Sequence, residues 1–220
     1  MTTTARSTTP HTETRWGVIA AHLYDGFLAF GELRGMAARR AALLDEARGT
    51  VLEIGAGTGR NLAAYPSVDR LVLAEPAPTM REILDRRVAR DGRDAMVIDA
   101  GAESLPLATG SVDTIVSTLV LCTVPDADAA LAEVVRVLRP GGRLLFLEHV
   151  HAPDGTALRR WQDRFVEPWA AFAVGCRCDR DILGAIRCHL TVQEVRSGRW
   201  LGMPAVVRPL VMGMATREPR

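Results

Sequence analysis

Short apolar runs alternate with longer amphipathic ones along most of the chain. Val51–Ile54, Leu71–Ala74, Ala95–Ile98, Val112–Leu119 and Arg143–Val150 are largely apolar over four to eight residues, with Gly, Pro or charged positions at their ends. Runs of this length predict strands buried on both faces. Between them the spacing turns helical. Residues 79–90 set Met80, Ile83, Leu84 and Val88 on one face, and residues 126–138 do the same with Ala130, Leu131, Val134, Val135 and Leu138. Pro140-Gly141-Gly142 stops the second of these, as Gly and Pro do after a helix end. A short helix is expected at 60–64, ended near Pro66, and two Ala-rich helices at 16–30 and 33–47, joined near Gly31. Strand–helix alternation up to residue 150 predicts an α/β fold with a parallel sheet covered on both faces.

The pattern changes after residue 150. Trp161, Phe165, Trp169 and Phe172 recur at helical spacing within 156–174, a shorter helix is expected at 179–188, and strands at 191–197 and 205–213. The aromatic stretch reads either as core covering the sheet or as the wall of an apolar acceptor pocket. The Thr-rich residues 1–14 read as a disordered tail. Residues 15–220 then form a single domain, with 151–190 as a helical elaboration on the acceptor side.

Composition excludes several chemistries. All 27 basic residues are arginine, so no lysine Schiff base and no P-loop lysine is available. A formal net charge of +1 leaves no electrostatic footprint for nucleic acid. Cys122, Cys176, Cys178 and Cys188 fit neither a disulfide scaffold nor zinc-ligand spacing, so no metal is expected. No run of about 18 apolar residues exists, and 16–30 is broken by His22 and Asp25. The expectation is a cytoplasmic protein without integral membrane association.

The candidate chemistry centres on Glu53-Ile54-Gly55-Ala56-Gly57-Thr58-Gly59, directly after the first strand. Glycines let the backbone turn sharply and approach a ligand, and the N–H groups at a following helix start favour a negative group. Such a loop alone is shared by dinucleotide-binding and other Rossmann-like folds. Glu75 adds to it: twenty residues after Gly55, at the end of the second strand, it is placed to accept from ribose hydroxyls.

Together with Glu75-Pro76, Gly101-Ala102-Glu103-Ser104-Leu105-Pro106 and Leu138-Arg139-Pro140-Gly141-Gly142, this series resembles the class I S-adenosylmethionine-dependent methyltransferases. Leu52-Glu53-Ile54-Gly55, Gly110-Ser111-Val112-Asp113, Thr118-Leu119-Val120-Leu121-Cys122 and Glu148-His149-Val150 resemble more closely the thiol S-methyltransferases of the methyltransferase-like seven group. The resemblance implies a Rossmann-like three-layer sandwich around a seven-stranded, mostly parallel sheet whose last strand is antiparallel. It implies S-adenosyl-L-methionine as cofactor, S-adenosyl-L-homocysteine as product and a small-molecule acceptor, most simply a thiol. Gly55, Ala56, Gly57 and Gly59 would pass under the methionine part and Glu75 would hold the ribose. Gly101 and Ala102 would lie beside adenine, Thr118 and Leu119 near the sulfonium, and Tyr24 would close over the cofactor. Glu53, Thr58, Asn61, Pro76, Met80 and Glu103 are counted with them as cofactor-binding. Gly101 stands where many relatives have an aspartate.

A thiol acceptor needs little help to ionise, whereas a phenol or carbon acid wants a placed base. His149, after the fifth strand, is the candidate base, with a surface or capping histidine as the alternative. Cys122, His149, Trp161 and Phe165 are the candidate acceptor pocket; Cys122 also reads as a small buried hydrophobe. O- or C-methylation of a phenolic, quinone or natural-product intermediate, and phospholipid N-methylation, share the same front half. A non-catalytic cofactor-binding module and an NAD-dependent oxidoreductase are the rivals outside that chemistry. Oligomeric state is open.

Overall fold

The computed structural model describes residues 14–219. The tail expected at 1–14 lies outside them except for Thr14, whose hydroxyl accepts from Gly17 N–H at 3.0 Å and so caps the first helix. The elements follow in the order α1 (Arg15–Gly31), α2 (Ala37–Leu44), β1 (Thr50–Ile54), β2 (Arg70–Ala74), α3 (Pro78–Asp91), β3 (Ala95–Ile98), β4 (Val112–Thr118), α4 (Ala127–Val137), β5 (Leu138–His149), α5 (Ala157–Phe172), α6 (Ile182–His189), β6 (Thr191–Arg199) and β7 (Pro209–Thr216). The strands form one sheet in the order β3-β2-β1-β4-β5-β7-β6. β7 runs antiparallel to β5 and β6, and the other pairings are parallel.

Each central strand sends alternate residues to opposite faces. Leu52, Ile54, Val72, Ile115, Leu144 and Phe146 pack with α4 and α6, and Val51, Leu71, Leu73, Val116, Leu145 and Leu147 with α1, α2 and α3. That two-sided burial is why the strands read as continuous apolar runs. The chain order reverses between β1 and β4, and their carboxyl ends open the crevice where ligands bind in such sheets.

Three boundaries differ from the sequence expectation for physical reasons. The break between the first helices falls at Gly35, whose φ of +114° a side chain would resist, not at Gly31. Gly31 stays helical and is small because a Cβ there would strike the Trp200 indole. The helix expected at 60–64 is only a 3-10 turn, Leu62–Ala64. No α-helix therefore starts directly after the glycine loop. Near the end, a 3-10 turn at Ala205–Val207 delays β7 to Pro209.

Candidate cofactor and acceptor site

The glycine loop leaves β1 in a left-handed conformation, with φ of +57° at Gly55, +57° at Gly57 and +83° at Gly59. Gly55 and Gly59 are also held by space: a Cβ would stand 2.7 Å from Val120 and 2.8 Å from Leu84, respectively. Gly57 differs, since a Cβ there would meet nothing within 4 Å. Its backbone borders open space, as a ligand cradle requires. The Glu75 carboxylate, buried at the end of β2, accepts from Gly57 N–H at 2.8 Å and Ala77 N–H at 2.9 Å. Strand and loop thus fix one acidic group beside the cradle. Pro76 and Met80 flank it half-buried. Arg81 ties this corner down by donating to the carbonyls of Glu75 and Pro76 and to Asp99.

Beneath the loop runs a buried polar network. Asn61 donates to Glu53 at 2.8 Å and to Thr118 Oγ1 at 2.9 Å, and the Tyr65 hydroxyl donates to the second Glu53 oxygen at 2.7 Å. Arg40, from α2, donates to Glu32, Asn61 Oδ1 and Thr118 Oγ1 at 3.2, 3.0 and 3.1 Å. Burial pushes the Glu53 carboxyl up to about 7 against the pull of Tyr65, Asn61 and Arg40. Glu53, Asn61 and Thr118 were legible in the sequence; Arg40, Glu32 and Tyr65 were not anticipated. A signal existed for Arg40: it shares a helical face with Met36, Leu43 and Leu44, all buried, where a solvated arginine has no reason to sit.

Helix α1 is latched across the loop. Asp25 accepts from Thr58 Oγ1 at 2.8 Å and from Arg60 at 2.9 Å, and pairs with Arg87. Burial opposes its charge, but the Thr58 hydroxyl and the two guanidiniums hold its carboxyl below the ordinary value. Tyr24, next to it, is half-buried against the core that holds Cys122 and Cys176, and burial pushes its phenol up to about 12. On the far side, Ala102 is buried while Gly101 and Glu103 are half-buried, and Glu103 accepts from Asp126 N–H at 3.5 Å.

The turn after β4 lies at the carboxyl edge of the sheet, next to the glycine loop. Leu119 adopts φ of +62°, uncommon for a residue with a side chain, and its N–H is kept by Leu147 O at 2.8 Å. Glu148, fully buried on β5, secures the turn through one oxygen: it accepts from Ser117 Oγ at 2.6 Å, Val120 N–H at 3.1 Å and Leu121 N–H at 3.2 Å. Its other oxygen has no hydrogen-bond partner among the described residues, and burial pushes the carboxyl up. The sequence marked Glu148 only as part of a resemblance; its role as the anchor of the turn comes from the fold.

The remaining pocket candidates are placed differently from the expectation. His149 is buried and stacks on Trp200, with centroids 5.5 Å apart, and burial pushes its imidazole down to about 4. Trp161 and Phe165 stack on each other at 4.9 Å but are 54% and 37% exposed, so the structure does not gather them with buried Cys122. Trp169, one turn on, is the α5 aromatic that packs on the Cys122 core. The aromatic stretch therefore divides: Trp161, Phe165 and Phe172 are exposed, and Trp169 alone packs on that core.

A three-layer sandwich in this strand order, with a glycine cradle, a strand-end acid and a buried polar floor at the β1 and β4 ends, defines a class I methyltransferase. Residues 52–146 match the family described as "Methyltransferase domain". The chain is 34% identical to human thiol S-methyltransferase TMT1A over 76% of this chain and 70% of that protein. It is 39% identical to human thiol S-methyltransferase TMT1B over 60% of this chain and 55% of that protein. The structure of a geranyl diphosphate methyltransferase in complex with S-adenosylmethionine superposes with a TM-score of 0.70 at 19% identity, covering 89% of this chain and 90% of that one. The chain belongs to the S-adenosylmethionine-dependent methyltransferases, within the family that includes TMT1A and TMT1B. No helix among the described residues is long and apolar enough to cross a membrane.

Proposed function

We propose that the protein transfers the methyl group of S-adenosylmethionine to the sulfur of a small thiol. The observation that carries this reading is the state of the acceptor side together with the family. His149, at the end of β5, is buried, and its imidazole is pushed down to about 4. Protonating it there is uphill near neutral pH, so the reading gives His149 no proton to carry. An acceptor that ionises by itself fits such a site. A thiol of pKa about 8.5 is already a few per cent thiolate at pH 7.

The bound cofactor supplies a methyl group on a cationic sulfur, open to in-line displacement. The chain's part is to bind and orient. Gly55–Gly59 give the methionine part a close backbone approach, and the Arg40, Asn61 and Glu53 network offers its charged ends a cation, an amide and a carboxyl. In this reading Glu75 would accept from the ribose, and Gly101, Ala102 and Glu103 would border adenine. Thr118, Leu119 and Cys122 bound the sulfonium side, and Glu148 keeps that turn in its left-handed shape. Proximity and orientation alone are worth roughly 7–11 kcal/mol of a barrier. The same reading takes residues 15–220 as one domain with 151–190 on the acceptor side, and puts the reaction in the cytoplasm on a small molecule. A natural-product intermediate is within that class.

Replacing His149 with Gln tests the protonation argument. Thiol methylation should keep its rate within about threefold, and its pH profile should still rise with thiol ionisation. A loss of two orders of magnitude, or a profile whose acid limb disappears, would return the base to His149.

A further inference from the structure

The turn after β4 and the loop between α5 and α6 are far apart in sequence but bound side by side. Arg177 N–H donates to Cys122 O at 2.8 Å. Arg180 straps the same turn, donating to Leu121 O at 3.0 Å, Val124 O at 2.6 Å and Pro125 O at 3.3 Å. Gly175 sits so close that a Cβ there would stand 3.2 Å from Thr123 O. Between these ties lie two thiols, Cys122 Sγ and Cys176 Sγ, 3.8 Å apart. Cys122 is fully enclosed and Cys176 is 7% exposed. A disulfide needs sulfurs about 2.0 Å apart, a distance within reach of side-chain rotation when two backbones already run together.

We propose that Cys122 and Cys176 form an oxidation site, which a small hydroperoxide converts to a disulfide that locks the acceptor turn to the α5–α6 loop. The reaction balances as two thiols and one hydroperoxide giving one disulfide, one alcohol (water, for hydrogen peroxide) and one water. The Cys176 sulfur attacks the terminal peroxide oxygen; the O–O bond breaks, an S–O bond forms, and the alkoxide or hydroxide leaves and takes up a proton. Cys122 then attacks the oxidised Cys176 sulfur; the S–S bond forms, the S–O bond breaks, and the hydroxyl leaves as water with the Cys122 proton. The two sulfurs are oxidised and the peroxide is reduced.

The environment distinguishes the partners. The contact between the two sulfurs lowers the Cys176 thiol and raises that of Cys122; the Trp169 indole and Arg180 favour the charged Cys176 further. Cys178 is pushed up to about 12, chiefly by burial, which keeps it a protonated bystander. Cys188 is exposed. The attacking sulfur is thus the more reachable one, and a hydroperoxide is small enough for a nearly closed site. A Cys122–Cys176 bond fixes the turn that carries Leu119 to the α5–α6 loop, so oxidation should slow methyl transfer whichever atom the enzyme methylates.

The test uses the full chain carrying Cys188→Ser, treated with hydrogen peroxide and read by peptide mass spectrometry without reductant. The expected result is a Cys122–Cys176 cross-link, methyl transfer lowered roughly tenfold or more, and both reversed by dithiothreitol. Adding Cys176→Ser should leave Cys122 reduced and the activity insensitive to peroxide. Should that variant fail to fold, Cys122→Ala should instead stop at a Cys176 sulfenic acid that dimedone traps. Thiols that stay reduced in the folded chain, a cross-link through Cys178, or a Cys122–Cys176 disulfide with undiminished activity would each overturn the proposal.

Discussion

At the residue scale, two carboxyls with different surroundings do different work. Glu75 is held by two backbone N–H groups beside the one loop glycine that borders open space. Glu75→Ala should weaken S-adenosylmethionine binding by roughly 1–3 kcal/mol, the worth of a hydrogen bond to a charged group. Calorimetry that finds the affinity unchanged would remove Glu75 from the ribose. Glu53 lies beneath the loop and titrates near 7, above its unfolded value, because burial disfavours its charge. The folded state therefore binds more protons than the unfolded one between about pH 4.5 and 7. On that account the carboxyl is without electrostatic cost below its unfolded pKa, and stability falls as pH rises through the folded one. The change is on the order of 3 kcal/mol for a shift of this size. Glu53→Gln should accordingly gain on the wild type in denaturant melts as pH goes from 5 to 8. A difference between the two that stays constant with pH would contradict the assignment of that carboxyl.

At the element scale, α1 is the part that closes the cradle from outside the sheet. Its hold is concentrated in Asp25, through Thr58, Arg60 and Arg87. Asp25→Asn keeps one acceptor and loses the charge, so cofactor affinity should fall by about 1 kcal/mol, with faster protease cleavage in α1. Unaltered affinity and unaltered cleavage would mean that α1 does not cover the cofactor. The strands and the glycine loop were legible in sequence because a strand buried on both faces has to be apolar, and left-handed turns favour glycine. The joint between α1 and α2 was misjudged because glycine has two uses: Gly35 turns, and Gly31 makes room for Trp200. The outward position of Trp161 and Phe165 was equally hidden, since helical spacing shows that residues share a face but not what that face meets.

At the scale of the whole molecule, the site is assembled from pieces that no local pattern connects. Arg40 meets Thr118 across 78 positions of sequence, and Cys176 meets Cys122 across 54. The proposed cofactor residues could be read as ordered motifs because most of them lie at or just after the carboxyl ends of the first four strands. The proposed acceptor side could not, because the α5–α6 loop folds back onto the β4 turn and Glu148 shapes that turn from below. The chain is a methyltransferase by family and fold, and a thiol acceptor is proposed from the family and from the buried His149, whose imidazole is pushed down to about 4.

The most direct test is to give the purified protein S-adenosylmethionine carrying a labelled methyl group, with an equimolar mixture of a small alkyl thiol, a phenol, a quinol and an amine. Mass spectrometry would follow the label. The account predicts label on sulfur alone, with one S-adenosyl-L-homocysteine formed for each thioether. Label on oxygen, carbon or nitrogen while the thiol stays free would contradict it.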